Sequence, residues 1–470
     1  MRIRFCGAAQ FVTGSCHLIE LDDGTKILLD CGLFQGKGRD IWDWNNEWLF
    51  DPSEIDAVIL SHAHLDHTGR LPQLVKDGFK GPIYATHATR SLTHILLLDS
   101  AHIQEDDVRH FNKLHADAIR SGKRNKRVPL YTAADVGPTM QQFITTGYDQ
   151  WCNIKPHIRF LFRDAGHLLG SASVVVEIQE NGKTLRIGYT GDIGRYNRPI
   201  LRDPQPMPKV DYLIAESTYG DRRHPVQMDQ KNQLLEIIRQ TCVQDKGKLL
   251  IPAFSIGRTQ EIVYLLDQLY NEDRLPRIPV YVDSPLAINA TAIYGNHPEC
   301  YDRELAEYLL TDDDPFGFNT LRYIRRAEES KKLNSYKGPC VIISAAGMAQ
   351  AGRIRHHLYH HIEDPTTTVL IVGYCAPGTL GRQLIEGQQV VQIFDAYKTV
   401  RARVKVMEAF SAHGDYLDML HFLRHLRQST KTLFLVHGEP DAMHTYRQKL
   451  LSFGFDDVKI PLKGQYYNIH

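Results

Sequence analysis

The chain has 470 residues, more than one hydrophobic core usually holds and enough for two or three domains. Its 55 basic and 55 acidic side chains cancel and 43% of its residues are hydrophobic, which excludes a module that grips nucleic acid by an overall basic excess. No apolar run is long enough to span a bilayer, and eight scattered cysteines without a CxxC pair fit reduced thiols of a cytoplasmic protein rather than a disulfide frame.

The chain enters an alternating strand at once over Arg2–Gly7, so no leader peptide is expected. Further strands are expected at His17–Leu21, Lys26–Asp30, Ala57–Leu60 and Ile83–Ala85, with Asp22-Asp23-Gly24 as a hairpin turn. Asp30 ends the third strand before Cys31-Gly32. A carboxylate at the end of an apolar strand is costly unless paired. Asp30 is therefore either a turn-forming residue or an acid that orients a neighbouring metal ligand.

The fourth strand runs into Ser61-His62-Ala63-His64-Leu65-Asp66-His67. In extended chain, residues two apart point the same way, so His62 and His64 can reach one metal. Asp66 and His67 follow the strand's end and can face a second. Imidazole and carboxylate together suit zinc, with manganese or iron as alternatives. A lone histidine is more often a core or surface group, but four ligand-type residues in six positions after a buried strand are poorly explained that way.

Helical spacing covers Thr93–Val108 and continues over Phe111–Ile119; Thr132 caps another helix. His87, His94, His102, His110 and His115 in this region read as structural or surface groups. Arg120 to Arg127 form a short basic loop, by default a solvated one, with a phosphate-backbone contact as the alternative. Strands resume at Ile158–Phe162 and Ser173–Ile178. Between them His167, flanked by Gly166 and Gly170, is well placed as a ligand. After an expected Asn181-Gly182 turn, a strand ends in Asp192 between glycines, where a carboxylate can bridge two metals. Tyr212–Ala215 is a buried strand ending in Glu216-Ser217-Thr218-Tyr219-Gly220.

From about residue 221 to 395, strands at Leu249–Ile251, Val280–Val282, Val341–Ser344 and Val369–Val372 alternate with helices, the clearest over Ile256–Tyr270. This is the pattern of a parallel α/β sheet, which binds ligands at the carboxyl ends of its strands. Those ends carry Pro252–Arg258, Ser344–Arg353 and Gly373–Arg382, each pairing glycines for close backbone approach with an arginine for phosphate. Arg258, Ser344, Gly347, Arg353, Gly378, Thr379 and Arg382 are the candidate phosphate contacts. None of the three is a Walker or dinucleotide motif, so no nucleotide cofactor is expected. Beyond 396, a strand at Val404–Met407 leads to Phe410-Ser411-Ala412-His413-Gly414-Asp415. A helix follows at Leu417–Leu426. A strand at Leu433–Val436 then ends in His437-Gly438-Glu439, before a last helix at Asp441–Ser452 and a polar tail.

His62-Ala63-His64-Leu65-Asp66-His67 resembles the HxHxDH signature of the metallo-β-lactamase fold, and His167 and Asp192 match that fold's later metal motifs. The Glu216–Gly220 segment, Ser411-Ala412-His413 and Leu435-Val436-His437-Gly438-Glu439 resemble the three motifs of its β-CASP subfamily, the nucleic-acid-processing branch. A histidine at 437 goes with RNA-processing members. The segments ending in Arg353 and Arg382 look closest to the branch of the endonuclease subunit of the cleavage and polyadenylation specificity factor and its prokaryotic relatives. Ala351 departs from that pattern, where many relatives have a second glycine.

The resemblance implies an α/β chain. A metallo-β-lactamase αββα sandwich would be formed by residues 1–217 and 396–470, with a parallel-sheet β-CASP domain inserted at 218–395. It also implies a ribonuclease using two Zn2+ per chain, or Mn2+. His62, His64 and His167 would hold one ion, Asp66, His67 and His437 the other, with Asp192 between them. Asp30 would orient a metal histidine. A hydroxide shared by the metals would attack phosphorus in line. His413 would be the general acid, oriented or raised in pKa by Glu216, leaving 5′-phosphate and 3′-hydroxyl ends. The inserted domain would grip single-stranded RNA through Arg258, Arg353 and Arg382, reading phosphate rather than bases. A homodimer is common in the family, though no sequence feature establishes one. Two other readings are a same-fold hydrolase of another substrate, either DNA or a small ester or lactam, the latter leaving the insertion, Glu216 and His413 unexplained, and a non-catalytic scaffold. The scaffold members lose metal ligands, and all seven are present here.

Overall fold

A computed structural model describes residues 1–36, 39–180, 182–224, 229–407 and 411–470, with the backbone only for Arg39 and Asp40. Asn181 of the expected turn and Phe410 of the segment before His413 lie outside the described residues. The chain divides into two units, Met1–Arg223 with His413–His470, and His224–Ala412.

The first unit begins with β1 (Arg2–Phe5), β2 (His17–Glu20), β3 (Lys26–Leu29), β4 (Ala57–Ile59), β5 (Ile83–Thr86) and β6 (Phe143–Thr146). It continues with β7 (Cys152–Lys155), β8 (Ile158–Asp164), β9 (Ala172–Glu180), β10 (Lys183–Tyr189) and β11 (Tyr212–Glu216). The second unit holds β12 (Lys248–Pro252), β13 (Val280–Val282), β14 (Leu321–Tyr323), β15 (Cys340–Ser344), β16 (Thr368–Ile371), β17 (Val390–Ile393), β18 (Ala396–Thr399) and β19 (Arg403–Val406). The chain then returns to the first unit with β20 (Thr432–Val436), β21 (Val458–Lys459) and β22 (Tyr466–Asn468).

Two seven-stranded sheets build the first unit, in the orders β22-β1-β2-β3-β4-β5-β6 and β21-β20-β11-β10-β9-β8-β7. Strand alternation decides what each face meets. Ile3, Phe5, Ile19, Leu29 and Ile59 of one sheet pack against Phe160, Phe162, Val174, Val176 and Ile214 of the other. Val175 and Leu213 face the opposite way, onto Met419, Phe422, Leu423 and Leu450 of the helices Tyr416–Leu423 and Pro440–Phe453. On the outer side of the first sheet, Leu18, Leu28 and Val58 pack on Leu71 and Leu74 of the helix Leu71–Lys76. The result is an αββα sandwich in which β9, covered on both faces, is buried from Ala172 to Ile178 although Ser173 and Glu177 interrupt its apolar residues.

Several elements differ from the sequence expectation. The two helical stretches before the basic loop are one helix, His87–Leu114, of 28 residues, followed by the short Ala116–Arg120. Its polar residues interrupt the apolar pattern, but it contains no glycine or proline to break it. β6, β7, β21 and β22 are unexpected because they are edge or near-edge strands with only partly buried, weakly apolar faces. The expected polar tail therefore closes the first sheet, with Arg2 opposite Asn468.

In the second unit, a six-stranded sheet in the order β14-β13-β15-β12-β16-β19 is parallel throughout, and β17 and β18 form a hairpin. β19, expected to reopen the first fold, instead pairs with β16 with Val404 opposite Val369, so this unit runs on to Ala412. Its core is formed by Leu250, Ile342, Val369 and Ile371 against Ile354, Leu358 and Leu384. Among the described residues no helix is long and apolar enough to cross a membrane, and all eight cysteines are free thiols.

Candidate metal centre

β4 is wholly buried and ends level with β3, which delivers the following histidines to one edge of the sandwich. His64 stands at the start of a single helical turn, Leu65–Thr68, so the chain bends between His64 and His67. This brings His62 Nε2 within 3.0 Å of His64 Nδ1 and turns Asp66 and His67 to the other side. His167 arrives on the β8–β9 connection, with Nε2 3.3 Å from His64 Nδ1. That connection is pinned at Gly170, whose carbonyl accepts from the hydroxyls of Thr86 (2.7 Å) and Thr89 (2.8 Å) at the start of the long helix. A Cβ on Gly194 would lie 1.9 Å from the Gly166 carbonyl oxygen, so glycine there lets the segment after Asp192 close onto the His167 loop.

β11 and β20 are parallel neighbours with Glu216 opposite Val436, which places His437 just past the end of β11. His437 Nε2 is 3.3 Å from His67 Nε2 and 3.4 Å from Asp66 Oδ2. Asp192 lies between the two sets. Its Oδ2 is 3.4 Å from His62 Nε2 and 3.5 Å from His167 Nε2; its Oδ1 is 3.4 Å from His67 Nε2 and 3.8 Å from His437 Nδ1.

Asp30 sits behind this centre, fully buried and in the left-handed backbone region (φ 59°). Its Oδ2 is 2.7 Å from His67 Nδ1 and accepts from the hydroxyls of Ser61 and Tyr189, each at 2.7 Å, while Oδ1 accepts the Ser61 amide at 2.7 Å. Those donors offset the cost of burying the carboxylate and fix which nitrogen His67 turns to the centre.

Burial pushes His62 and His167 well below the usual histidine range, into the neutral form that ligates metal. Burial would raise Asp192, but the surrounding imidazoles, His437 and His67 foremost, hold it well below the usual carboxylate range. Asp66 is likewise held down at about 2, against burial, by the His437 hydrogen bond and the charge of His67. Asp192 Oδ1 is buried and receives no hydrogen bond from the described residues, although it faces two imidazoles. The converging nitrogens of the first set, 3.0–3.3 Å apart, approach the edge of about 3.4 Å that follows from tetrahedral Zn–N bonds of about 2.0–2.1 Å. The nitrogen and carboxylate donors thus fit divalent metal, with Asp192 between the two sets.

Beside the centre, Glu216 ends β11 with both oxygens engaged. Oε1 accepts the Ile193 amide; Oε2 accepts from Thr218 Oγ1 (2.7 Å) and lies 3.1 Å from His413 Nδ1. Thr218 Oγ1 is also 3.0 Å from His437 Nδ1, so one hydroxyl links the acid pair to a metal ligand. His413 is positioned by a bridge to Gly194, and its Nδ1 lies 3.9 Å from Asp192 Oδ2. Burial alone would lower its pKa, but Glu216 and Asp192 hold it up at about 9. That direction favours the protonated ring, the form of a proton donor.

Residues 9–145 match the metallo-β-lactamase superfamily, 259–384 the Beta-Casp domain, and 397–461 the Zn-dependent metallo-hydrolase RNA specificity domain. The chain is 37% identical over 467 residues to Ribonuclease TTHA0252 of Thermus thermophilus, covering 99% of this chain and 97% of that one. The chain belongs to the β-CASP ribonucleases of the metallo-β-lactamase superfamily. It is also 33% identical to an RNase J-like protein of Methanocaldococcus jannaschii (98% of this chain, 96% of the relative). To cleavage and polyadenylation specificity factor 73 of Drosophila melanogaster it is 32% identical over 94% of this chain and 60% of that protein. With its divalent-metal site and ribonuclease relatives, this β-CASP chain is a metal-dependent nuclease acting on RNA.

In the β-CASP unit the three glycine–arginine segments follow β12, β15 and β16, strands that run in one direction. Their arginines are not equivalent. Arg353 is bound to Asp283 Oδ1 (2.7 Å), to the Ile324 carbonyl (3.1 Å) and to the Arg325 carbonyl (2.7 Å), which gives it a structural task. Asp283, seventy positions earlier in the chain, also holds His357 Nε2 at 2.7 Å and accepts from Ser330 Oγ at 2.6 Å. Arg258 is buried and paired with Glu261 one turn on. Ser344 is buried and its hydroxyl donates to the Asp283 carbonyl at 2.8 Å. Gly347 packs its backbone against Phe254, leaving no room for a Cβ. Arg382 is 42% exposed and paired with Glu386; Thr379 caps its helix, and Gly378 has open space around it. Ser61, Thr218, Tyr189 and Ser15, whose hydroxyl lies 2.8 Å from that of Tyr189, are site residues the sequence reading did not single out. Ser61 and Thr218 lie inside the metal and Glu216 segments, but nothing in the sequence marks Tyr189.

Proposed function

We propose that the chain is a zinc-dependent ribonuclease that hydrolyses phosphodiester bonds of single-stranded RNA, in RNA processing or decay, and leaves 5′-phosphate and 3′-hydroxyl ends. The observation that carries this reading is the divided carboxylate of Asp192, facing one imidazole set with each oxygen, with the Glu216–His413 pair beside it. Two zinc ions, or manganese, held by His62, His64 and His167 and by Asp66, His67 and His437 would supply a water of pKa near about 7 and neutralise charge on the phosphate.

The chain's own groups do the rest. With Nδ1 of His413 held by Glu216, Nε2 is the nitrogen that gives its proton to the leaving 3′ oxygen. Glu216 keeps that ring charged, Thr218 fixes Glu216, and Asp30 with Ser61 and Tyr189 fixes His67. In the β-CASP unit, Arg382, Thr379 and Gly378 are the phosphate contacts that the geometry favours, while Arg258, Ser344, Gly347 and Arg353 shape the strand ends around them. RNA as the substrate is supported by the ribonuclease relatives and the RNA specificity domain. A homodimer and a cytoplasmic location complete the reading, the latter supported by the free thiols.

The test is to incubate metal-loaded protein with labelled single-stranded RNA and DNA, with and without a chelator. RNA cleavage that chelator abolishes and zinc or manganese restores is expected, with 5′-phosphate ends by mass spectrometry, two zinc ions per chain by elemental analysis, and a dimer by light scattering. Ester or lactam turnover without RNA cleavage would overturn the ribonuclease reading.

A further inference from the structure

We infer that the far end of the helix His87–Leu114, with the loop after it, is a second contact site for single-stranded RNA, separate from the metal centre; this rests on the ribonuclease reading above. Residues 109–127 carry seven basic side chains and one acidic one, in a chain of net charge +0. Arg109 and Arg120 pair with Asp106 and Asp117 one helical turn away. Lys113, Lys123, Arg124 and Lys126 are exposed and have no acidic partner among the described residues.

The loop that displays them is clamped. The Arg127 amide donates to Asn112 Oδ1 (3.0 Å), and Asn112 Nδ2 donates to the Arg127 carbonyl (2.9 Å). The Arg127 guanidinium lies 3.8 Å from the centre of the Phe111 ring and 4.7 Å from that of Trp42; Arg124 lies 5.4 Å from Phe111. A merely solvated loop would let its charges spread apart. Here they are held together, at a repulsive cost that a polyanion offsets. The contacts are to phosphate and carry no sequence preference.

The placement suits a long substrate. The opposite end of the same helix is bonded to Gly170 in the loop that carries His167. Its 28 residues span about 42 Å at about 1.5 Å each. An RNA reaching from centre to patch needs roughly 12 nucleotides at about 3.4 Å per stacked nucleotide. A 6-nucleotide RNA cannot engage both, whereas a 30-nucleotide RNA can.

The experiment compares full-length, metal-loaded wild type with the quadruple variant Lys113→Ala, Lys123→Ala, Arg124→Ala, Lys126→Ala on unstructured 6-mer and 30-mer RNA. The kcat/KM ratio of 30-mer to 6-mer should fall at least about tenfold, through KM, and the slope of log affinity against log salt for the 30-mer should drop by about 2 to 3. Replacing Lys113, Lys123 and Lys126 by arginine in place of alanine should restore both, since charge is what matters. If wild type shows chelator-sensitive cleavage and the alanine variant keeps its ratio and slope, the patch is not an RNA site and the ribonuclease reading stands. If wild type cleaves neither RNA but the binding slope still differs between the two proteins, the ribonuclease reading falls and the patch stands. Equal slopes overturn the patch in either case.

Discussion

Asp192 gives one oxygen to each imidazole set, so it cannot be replaced at one site alone. Asp192→Asn keeps the shape and removes the shared charge; the purified variant is expected to hold less than half the wild-type metal by elemental analysis. His413 stands outside both sets. His413→Ala should keep its metals and lose about 10²- to 10⁴-fold in kcat, the usual worth of a general acid; loss of metal instead would make it a ligand. Asp30→Asn leaves His67 Nδ1 without its anionic partner and should weaken metal binding about 10- to 100-fold in a chelator competition. The metal ligands were legible because their type and local spacing state the chemistry. Arg353 was not, because its partner Asp283 is a strand-end acid far away in sequence, and nothing local to Arg353 reveals it.

The strand ends meet only where backbone can touch backbone. Gly194→Ala drives a Cβ into the Gly166 carbonyl and forces apart the segments that carry Asp192 and His167. It should cost more than about 3 kcal/mol in the free energy of urea unfolding and reduce metal content with it. Gly295, helical and with open space around it, is the contrast: Gly295→Ala should stabilise by about 0.4–1 kcal/mol. Buried strands such as β4 and β11 could be read from sequence because both their faces are apolar. β6, β7 and β22 could not, since half of an edge strand's residues face water and their pairing is settled by distant partners.

The parallel sheet of the second unit was visible in its alternating pattern, but its end was not. β19 reads like any short strand, and only its pairing with β16 assigns it. The same unit buries Asp267 against Tyr308 Oη at 2.7 Å. Burial, with Asp312 adding to it and Tyr308 opposing, pushes this carboxyl up to about 7. The folded chain therefore binds this proton more tightly than the unfolded one. Stability from this group should fall as pH rises from about 4 to about 7. Asp267→Asn should flatten that part of the melting-temperature profile. The first unit is built from separated parts of the chain. Residues 1–223 alone lack β20, His413 and His437, and should neither fold nor bind two metals until 413–470 is supplied.

His437, taken up at the end of β20 beside β11, has a temporal meaning as well as a spatial one. A ribosome making this protein lays down His62 to His67 early, yet the second set of ligands stays open until residue 437 has been synthesised and β20 has slotted beside β11. The second set of ligands is therefore completed late, only after the whole of the second unit has been made.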